Sequence, residues 1–415
     1  MFIKKPGEIL KDDVWSKVIS LSLVLFFILL GDAILSFWVP NLLHDSLENT
    51  VAMGFIISFS SVIGLGTDLI LPQLIKKISV RKLLLLAIIS SIIFSLSLIK
   101  ASFTPLIFIF LFGMAFWGFY YEFLGFAQQQ FVADSVPLKL RSGAWGILRV
   151  FRSLAYFFGP MIAGWIFLKG KVYPGIFAIG FILIGFLILQ ITRKKHKRPI
   201  EIDIKEVNLV KEIEHWSVLF KHVWPVIFLS TLLGLNDSFF WTIGAIWTEE
   251  LARKSFWGTM FLPLYVLPSI FMGFLVARFK IYEGKKKLAI KFFFLSGIFL
   301  AALGFYDGIF WQLAMVFLSS LMLSVVYPLT DGIYSDIVAR MGRERKHMIG
   351  LSNSTTSVAY IIGPIIAGFL ASFVGERKTF IAMGFLTIAM SIILYLLTPK
   401  KLKVPQKEIK TWENK

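Results

Sequence analysis

The stretch SLAYFFGPMIAG, residues 153–164, reveals how this chain is organised, because it recurs as SVAYIIGPIIAG at residues 357–368. The two copies lie 204 residues apart. Shorter echoes occur at nearly the same offset: Leu29-Leu30-Gly31 returns as Leu232-Leu233-Gly234, and Asp134 returns as Asp336. Because these matches keep the same order, the sequence predicts two homologous halves that fill most of the chain.

The composition indicates an integral membrane protein. Of the 415 residues, 57% are hydrophobic and 43 are Phe, and the mean hydropathy is +0.77. A soluble domain could not bury that much apolar surface. Twelve apolar runs between residues 17 and 398 are each about long enough to cross a bilayer as a helix. They lack the strict alternation of strands, so the predicted fold class is all-α integral membrane, with six helices in each half.

The net charge of +18 is explained by topology rather than by a nucleic-acid partner. Basic residues concentrate on alternate loops, for example in the runs 193–198 and 285–287. The opposite loops hold only seven of the 43 basic residues: Lys100, Lys169, Lys171, Arg253, Lys254, Arg377 and Lys378. The positive-inside rule therefore predicts a multi-pass protein of the plasma (inner) membrane with both termini cytoplasmic.

The polar interruptions divide the chain into four parts. Residues 1–192 form the N-terminal six-helix half, and residues 222–398 form the C-terminal half. Between them, residues 193–221 carry apolar side chains at roughly helical spacing, which predicts a cytoplasmic amphipathic linker. Residues 399–415 form a basic tail, also predicted to be cytoplasmic.

Two six-helix halves around a basic central loop resemble the major facilitator superfamily, in which the halves surround a central cavity. In the fifth span, Ala155-x-x-x-Gly159-Pro160-x-x-Ala163-Gly164 resembles that family's antiporter motif GxxxGPxxGG. The resemblance implies an antiporter, whereas small residues at this spacing also suit a helix-packing seam without further function. The predicted packing motif comprises Ala155, Gly159, Pro160, Gly164, Gly363, Pro364 and Gly368.

The loop signature of the superfamily, GxLaDRxGRK, is degraded here. Lys76 and Ala277 stand where the resemblance requires Asp, the residue that helps to latch the cytoplasmic ends in that family. Other charged residues near those ends are candidates for the latch. The predicted cytoplasmic gate comprises Lys77, Arg81, Asp134, Arg278 and Asp336.

Ionisable residues inside the spans are the main functional candidates, because each costs about 2.5–3.5 kcal/mol on insertion scales unless it faces a cavity or a partner. Asp32 and Asp237 fall near the midplane of the first and seventh spans. A buried carboxylate is a natural proton carrier, and Asp32 is the first choice, because a span-one Asp followed by Pro40 resembles drug and proton antiporters. The proton-coupling candidates are Asp32, Asp237, Asp331 and Glu122.

The fourth and fifth spans carry a second group of candidates. Counting 1.5 Å per residue, Glu122 and Arg152 lie at matched depth, so an ion pair can form between them. Similar residue types bind sugar in lactose permease, but a purely structural salt bridge explains the pair equally well. The predicted substrate-binding residues are Glu122, Gln129, Arg149, Arg152, Tyr156, Trp241, Tyr327, Tyr334, Asn353 and Tyr360.

These features predict a secondary transporter that works by alternating access. The preferred interpretation is proton-coupled efflux of cationic or amphipathic compounds, with a small-molecule cargo, protons or another coupling ion, and the lipid bilayer as partners. One alternative is a proton-coupled symporter for sugars or other polar nutrients. An alternative of another class is a receptor or scaffold without transport activity, although such a protein should lose its midplane charges. The expected state is a monomer.

The sequence gives no sign of an enzyme. It contains no HExxH, GxSxG or GxxxxGK[ST] motif, and its five His are scattered near loops and interfaces. With zero Cys, a thiolate metal site and a Cys nucleophile are excluded. We therefore predict neither a cofactor nor a metal.

Overall fold

The computed structural model describes residues 13–74, 79–136, 141–167, 169–191, 209–278, 284–338, 340–341 and 345–399, together with Leu402 and Pro405. Within these ranges the regular structure is helical, with twelve α-helices in chain order. The first six are α1 Asp13–Leu47, α2 Thr50–Leu74, α3 Val80–Phe103, α4 Ile107–Ser135, α5 Arg141–Phe167 and α6 Tyr173–Ile191. The second six are α7 Leu209–Lys254, α8 Phe261–Arg278, α9 Lys285–Ala301, α10 Ile309–Val338, α11 Arg345–Val374 and α12 Glu376–Leu397.

The helices have the length and composition of membrane spans. In the described residues, eleven are long and apolar enough to cross a bilayer, and the segment Phe256–Met272, which includes the start of α8, is a shorter apolar helix. Large apolar side chains are exposed along them, such as Phe55, Leu187 and Leu396, as expected for surfaces that face lipid. Buried hydroxyls donate back to carbonyls one turn earlier, for example Ser22 to Val18.

The chain packs into two compact units. The first contains residues 1–48 and 66–203 as far as they are described, and its most extensive contacts join α3 to α4 and α1 to α5 and α6. The second contains residues 204–415 together with residues 49–65, the first part of α2. Its largest contacts join α7 to α11, and α9 to α10 and α12.

The first part of α2 joins the second unit because small residues let it lie directly on α11. Asn49 caps α2 by accepting from the backbone N–H groups of Val51 and Ala52, each at 3.0 Å. Thr50 then donates its hydroxyl to the carbonyl of Gly368 at 2.8 Å. A Cβ on Gly54 or on Gly368 would overlap a backbone carbonyl of the other helix. Chain order alone assigns this segment to the N-terminal half, so packing and chain order differ here.

Helix α7 is 46 residues long, about 69 Å, and exceeds the thickness of a bilayer core. Residues 209–221, which the sequence places in the linker, are its first turns rather than a separate helix. Val210 and Ile213 are exposed, whereas Leu219 and Val223 are buried in an apolar cluster with the ends of α10 and α11. Residues 192–208 lie outside the described residues, as does most of the tail.

Candidate functional site

Asp32 is fully buried in the first unit and accepts hydrogen bonds from three side chains. Trp117 of α4 donates its indole Nε1–H to Oδ1 at 2.9 Å. Tyr121, one turn later on α4, donates to Oδ2 at 3.1 Å, and Tyr156 of α5 donates to the same oxygen. A single carboxylate of α1 therefore gathers donors from two neighbouring helices, which satisfies it without contact with solvent.

The repeated glycine motif brings Tyr156 to Asp32. Gly159 lies one turn after Tyr156 on α5, and a Cβ at Gly159 would overlap that of Ala33 on α1. Because α1 and α5 approach this closely at Ala33, the hydroxyl one turn earlier reaches the preceding residue, Asp32. The packing seam predicted from the sequence therefore also positions a polar contact.

The two oxygens of Asp32 differ in what they can do chemically. Trp117 is a donor only, so Oδ1 must remain an acceptor. Both neighbours of Oδ2 are tyrosine hydroxyls, which can donate or accept. Oδ2 can therefore bind a proton and donate it to one of these hydroxyls, provided that the proton of that hydroxyl turns to another acceptor.

The second unit repeats the arrangement with Asp237 of α7. Tyr265 of α8 donates to Oδ1 and Tyr360 of α11 donates to Oδ2, each at 2.5 Å. The seam is repeated as well, because a Cβ on Gly363 would overlap the Ser238 hydroxyl. Thus an Asp followed by a small residue on one helix meets a Tyr-x-x-Gly-Pro stretch on another in each unit.

The two carboxylates differ in exposure. Asp32 is sealed, whereas Asp237 is partly exposed and lines a cavity of about 360 Å³ within the second unit. Asp331 is exposed on the same cavity, whose lining is rich in hydroxyls. The lining residues are Ser230, Leu233, Gly234, Asp237, Tyr327, Thr330, Asp331, Tyr334, Ser352, Asn353, Thr355, Thr356 and Tyr360. Two acids and no base among these residues give the cavity an acidic character.

This cavity brings together six of the residues singled out from the sequence: Asp237, Asp331, Tyr327, Tyr334, Asn353 and Tyr360. Two of the tyrosines are anchored by their hydroxyls, Tyr334 to Ser230 at 2.7 Å and Tyr327 to the carbonyl of Leu233 at 3.2 Å. Anchored phenols present fixed aromatic faces to the cavity, which suits recognition better than mobile side chains do.

The remaining candidates are placed as follows. Arg152 is exposed as a residue, and its guanidinium carbon lies 5.7 Å from the ring centroid of Tyr156. Arg149 is exposed one turn earlier, and Glu122 and Trp241 are half-buried on α4 and α7. The ion pair between Glu122 and Arg152 stays a prediction.

The predicted gate is only partly visible. Asp336 contacts Lys285 at 2.7 Å, a residue that is not among the predicted members of the gate. Arg81 donates to Gln190 at 2.5 Å. Lys77 lies outside the described residues, as do the side chains of Gln129, Asp134 and Arg278. In the described part of the chain, no three His, Asp or Glu side chains are grouped so that they could hold a metal ion.

Three side chains that donate to the two carboxylates are not among the residues predicted from the sequence: Trp117, Tyr121 and Tyr265. The sequence does carry a signal for the two carboxylates and for one tyrosine beside each. Asp32-Ala33 occurs with Tyr156-x-x-Gly159 in the first half, and Asp237-Ser238 occurs with Tyr360-x-x-Gly363 in the second. No repeated pattern marks the missed donors, since they come from α4 in one unit and from α8 in the other.

Comparison with known proteins agrees with this architecture. The sequence profile described as Major Facilitator Superfamily matches residues 2–160 and 226–414. The chain therefore belongs to the Major Facilitator Superfamily, as its motifs predicted, and has that superfamily's transporter fold. The superfamily consists of transporters rather than enzymes. A search of curated proteins gave no significant match.

Several solved transporters have a similar fold at low sequence identity. A POT family transporter in complex with a thioalcohol-conjugated peptide has a TM-score of 0.74 and 13% identity, covering 93% of this chain and 96% of its own. The nucleoside transporter NupG has a TM-score of 0.70 and 12% identity, with 92% and 100% covered. A bacterial homolog of the human lysosomal transporter Spinster has a TM-score of 0.64 and 13% identity, with 95% and 97% covered.

Proposed function

We propose that the protein is a proton-coupled secondary transporter and that Asp32 carries the coupling proton. The observation that carries the proposal is the buried carboxylate, one oxygen of which accepts from two tyrosine hydroxyls. Burial makes the ionised form costly, and the three donors offset that cost. Both protonation states are therefore compatible with this environment, which is the requirement for a carrier that loads and releases.

The charge of Asp32 can also influence a nearby cation, Arg152. Tyr156 contacts the carboxylate with its hydroxyl, while its ring centroid lies 5.7 Å from the guanidinium carbon of Arg152. Protonation of Asp32 removes a negative charge near this cation, which changes the electrostatic potential around Arg152.

We propose an organic cation with an apolar part as the cargo class. The cavity of the second unit contains two carboxylates, Asp237 and Asp331, and no basic residue in its lining. The faces of Tyr327, Tyr334 and Tyr360 suit a cation through its attraction to aromatic rings. Efflux is the proposed direction, with both termini in the cytoplasm, following the sequence resemblance and the charge asymmetry of the loops.

A second candidate is a proton-coupled symporter for polar nutrients. It is favoured by the hydroxyl and amide groups of Ser230, Thr330, Ser352, Asn353 and Thr356 on the same cavity. Such groups suit a cargo that has many hydrogen-bond donors and acceptors. The similarity in fold to NupG and to a POT family transporter fits this alternative equally well.

The test is transport by protein reconstituted into liposomes, with ethidium as the cationic probe and a labelled nucleoside and a labelled dipeptide as polar probes. Asp32→Asn should abolish accumulation driven by an imposed pH gradient. It should leave gradient-free exchange of the same probe largely intact, because the amide keeps the shape of the protonated acid and its oxygen still accepts from Trp117.

The matched control is Asp237→Asn, the corresponding change in the second unit. It should weaken probe binding rather than uncouple transport from the pH gradient. If Asp32→Asn accumulates the probe as well as the parent protein, Asp32 is not the proton carrier. If none of the probes moves in the parent protein either in exchange or uphill, the proposed cargo classes are wrong.

A further inference from the structure

An apolar cluster lies at one end of the acidic cavity in the second unit. Along α7 the cluster residues fall within 219–227 and the cavity residues within 230–237. Along α11 the cluster residues fall within 348–351 and the cavity residues within 352–360. On α10, which runs in the opposite direction, the cavity residues come first and the cluster residues follow. The cluster therefore lies at the end of the cavity that the positive-inside rule assigns to the cytoplasm.

The cluster and the cavity share structural contacts. Tyr334 of α10 is buried in the cluster and also lines the cavity. Its hydroxyl bonds to Ser230 at 2.7 Å, and Ser230 donates to the carbonyl of Ile227, a cluster residue, at 3.0 Å. Because these residues join α7 to α10 at the boundary between cluster and cavity, the two helices cannot separate in the cluster without a change in the cavity.

The C-terminal segment of the chain reaches this cluster. Leu402 comes four residues after Thr398, the C-cap of α12, and is partly buried against the cluster. Closer to α12, Lys286 at the start of α9 donates to the carbonyl of Pro399. Further along, Pro405 is buried. These three described residues, Pro399, Leu402 and Pro405, mark a segment that we call the strap.

The strap links helices that are otherwise free to separate at this end. It continues from α12, whereas the cluster is formed by the ends of α7, α10 and α11. Parting those ends would return Leu402 and the cluster side chains to water, which is unfavourable in proportion to the apolar area exposed. Alternating access requires the helices around a transport cavity to part on each side in turn. The strap therefore opposes the opening on its own side.

We propose that the strap is an autoinhibitory contact, which holds the ends of α7, α10 and α11 together and slows the opening of the acidic cavity to the cytoplasm. The proposal rests on the proposed function only in that the cavity opens by alternating access. It depends neither on Asp32 as the proton carrier nor on the class of cargo.

The test is the labelling rate of a cysteine in the cavity by an impermeant maleimide in inside-out membrane vesicles. The chain has no native Cys, so Ser352→Cys provides a single reporter beside the cluster. Adding Leu402→Asp should raise its labelling rate about five-fold or more, because a carboxylate cannot remain against the cluster. A chain that ends after Thr398 should show the same increase. Leu402→Met keeps an apolar side chain of similar volume and should leave the rate unchanged.

A second reporter separates opening of the cavity from loss of the fold. Ser319→Cys replaces a fully buried residue of α10 outside the cavity lining, and it should stay unlabelled in all variants. Faster labelling of Ser319→Cys in the Leu402→Asp background would mean that the unit unfolds, and the proposal would be wrong.

Two other results would overturn the proposal. One is an equal rate at Ser352→Cys in the Leu402→Asp and Leu402→Met backgrounds. The other is no labelling at Ser352→Cys in any background, since the cavity would then not open to this side. The assay uses no cargo and no pH gradient, so its outcome is independent of the liposome experiments on Asp32. A failure of the strap and a failure of proton coupling can thus be told apart.

Discussion

Replacing Gly159 by alanine should separate α1 from α5 and disturb the site around Asp32. The added Cβ would overlap the Cβ of Ala33 and lie 3.1 Å from the Ala33 carbonyl carbon. Carbon atoms rest at about 3.5–4.0 Å, and a backbone atom cannot turn aside, so the helices must move apart. Tyr156, one turn earlier, would then lose its reach to Asp32.

The size of the effect follows from two opposing contributions. Overpacking of this kind costs about 1–3 kcal/mol. Alanine is also a better helix former than glycine by about 1 kcal/mol, which offsets part of that cost. Gly146→Ala isolates the second contribution, because it lies on the same helix and a Cβ there would meet nothing within 4 Å. The two variants should therefore differ by about 1–3 kcal/mol, with Gly159→Ala the less stable.

The assay is thermal unfolding in detergent followed by tryptophan fluorescence. For a unit of about 200 residues, each kcal/mol corresponds to about 2–4 °C in the melting temperature. The double variant with Ala33→Gly and Gly159→Ala returns a single methyl group to the gap and should recover most of the loss. The seam does not set the distance between α1 and α5 if Gly159→Ala and Gly146→Ala have the same melting temperature. The same conclusion follows if the double variant has a lower melting temperature than either single variant.

Three further predictions concern the carboxylates and the topology. Tyr156→Phe removes one of the two hydroxyls at Oδ2 of Asp32, so it should slow gradient-driven transport in liposomes more than gradient-free exchange; equal slowing would contradict it. Asp237→Asn should weaken calorimetric binding of ethidium about ten-fold or more and leave a nucleoside unaffected, because it removes only the charge. In a chain with no native Cys, a maleimide that cannot cross the membrane should label Asn49→Cys but not Ser217→Cys in intact cells; the reverse pattern would invert the topology.

The fold could be predicted from the sequence because the apolar runs and the internal repeat extend over nearly the whole chain. Apolar runs of span length allow only helices in lipid, and the repeated Gly-Pro stretch marks where α5 and α11 meet their partners. Gly159 and Gly363 do make the close approaches expected of a packing seam. The long α7 was less predictable, because the apolar spacing that suggests a surface helix also serves a helix end packed against α10 and α11.

The register of the repeat illustrates a limit of pattern matching. The echo Leu-Leu-Gly aligns Gly31 with Gly234 at an offset of 203 residues. In the structure, Gly31 faces α6 at Ile182, whereas Gly234 faces α11 at Ala359. The contacts of Ala33 with Gly159 and of Ser238 with Gly363 give the physical alignment, an offset of 205 in α1 and α7. Short apolar matches recur by chance in a chain with so many apolar residues. The positions at which two helices touch are fixed by packing.

The carboxylates could be found from sequence, but their donors could not. Asp32 and Asp237 stand out because a charge at mid-span needs an explanation. Trp117 and Tyr121 look like ordinary aromatic residues of an aromatic helix until α4 is packed beside α1. Asp336 shows the same limit, because Lys285 becomes its partner only through the placement of α9 beside α10.

The most direct measurement of the central claim is the infrared signature of a protonated carboxylic acid as pH is varied in the reconstituted protein. We predict one carbonyl band that appears and disappears with pH in the parent protein and is absent from the same titration of Asp32→Asn. Asp237→Asn should retain that band. If the titrating bands of the parent protein and of Asp32→Asn are identical, Asp32 does not exchange a proton and the proposed coupling is wrong.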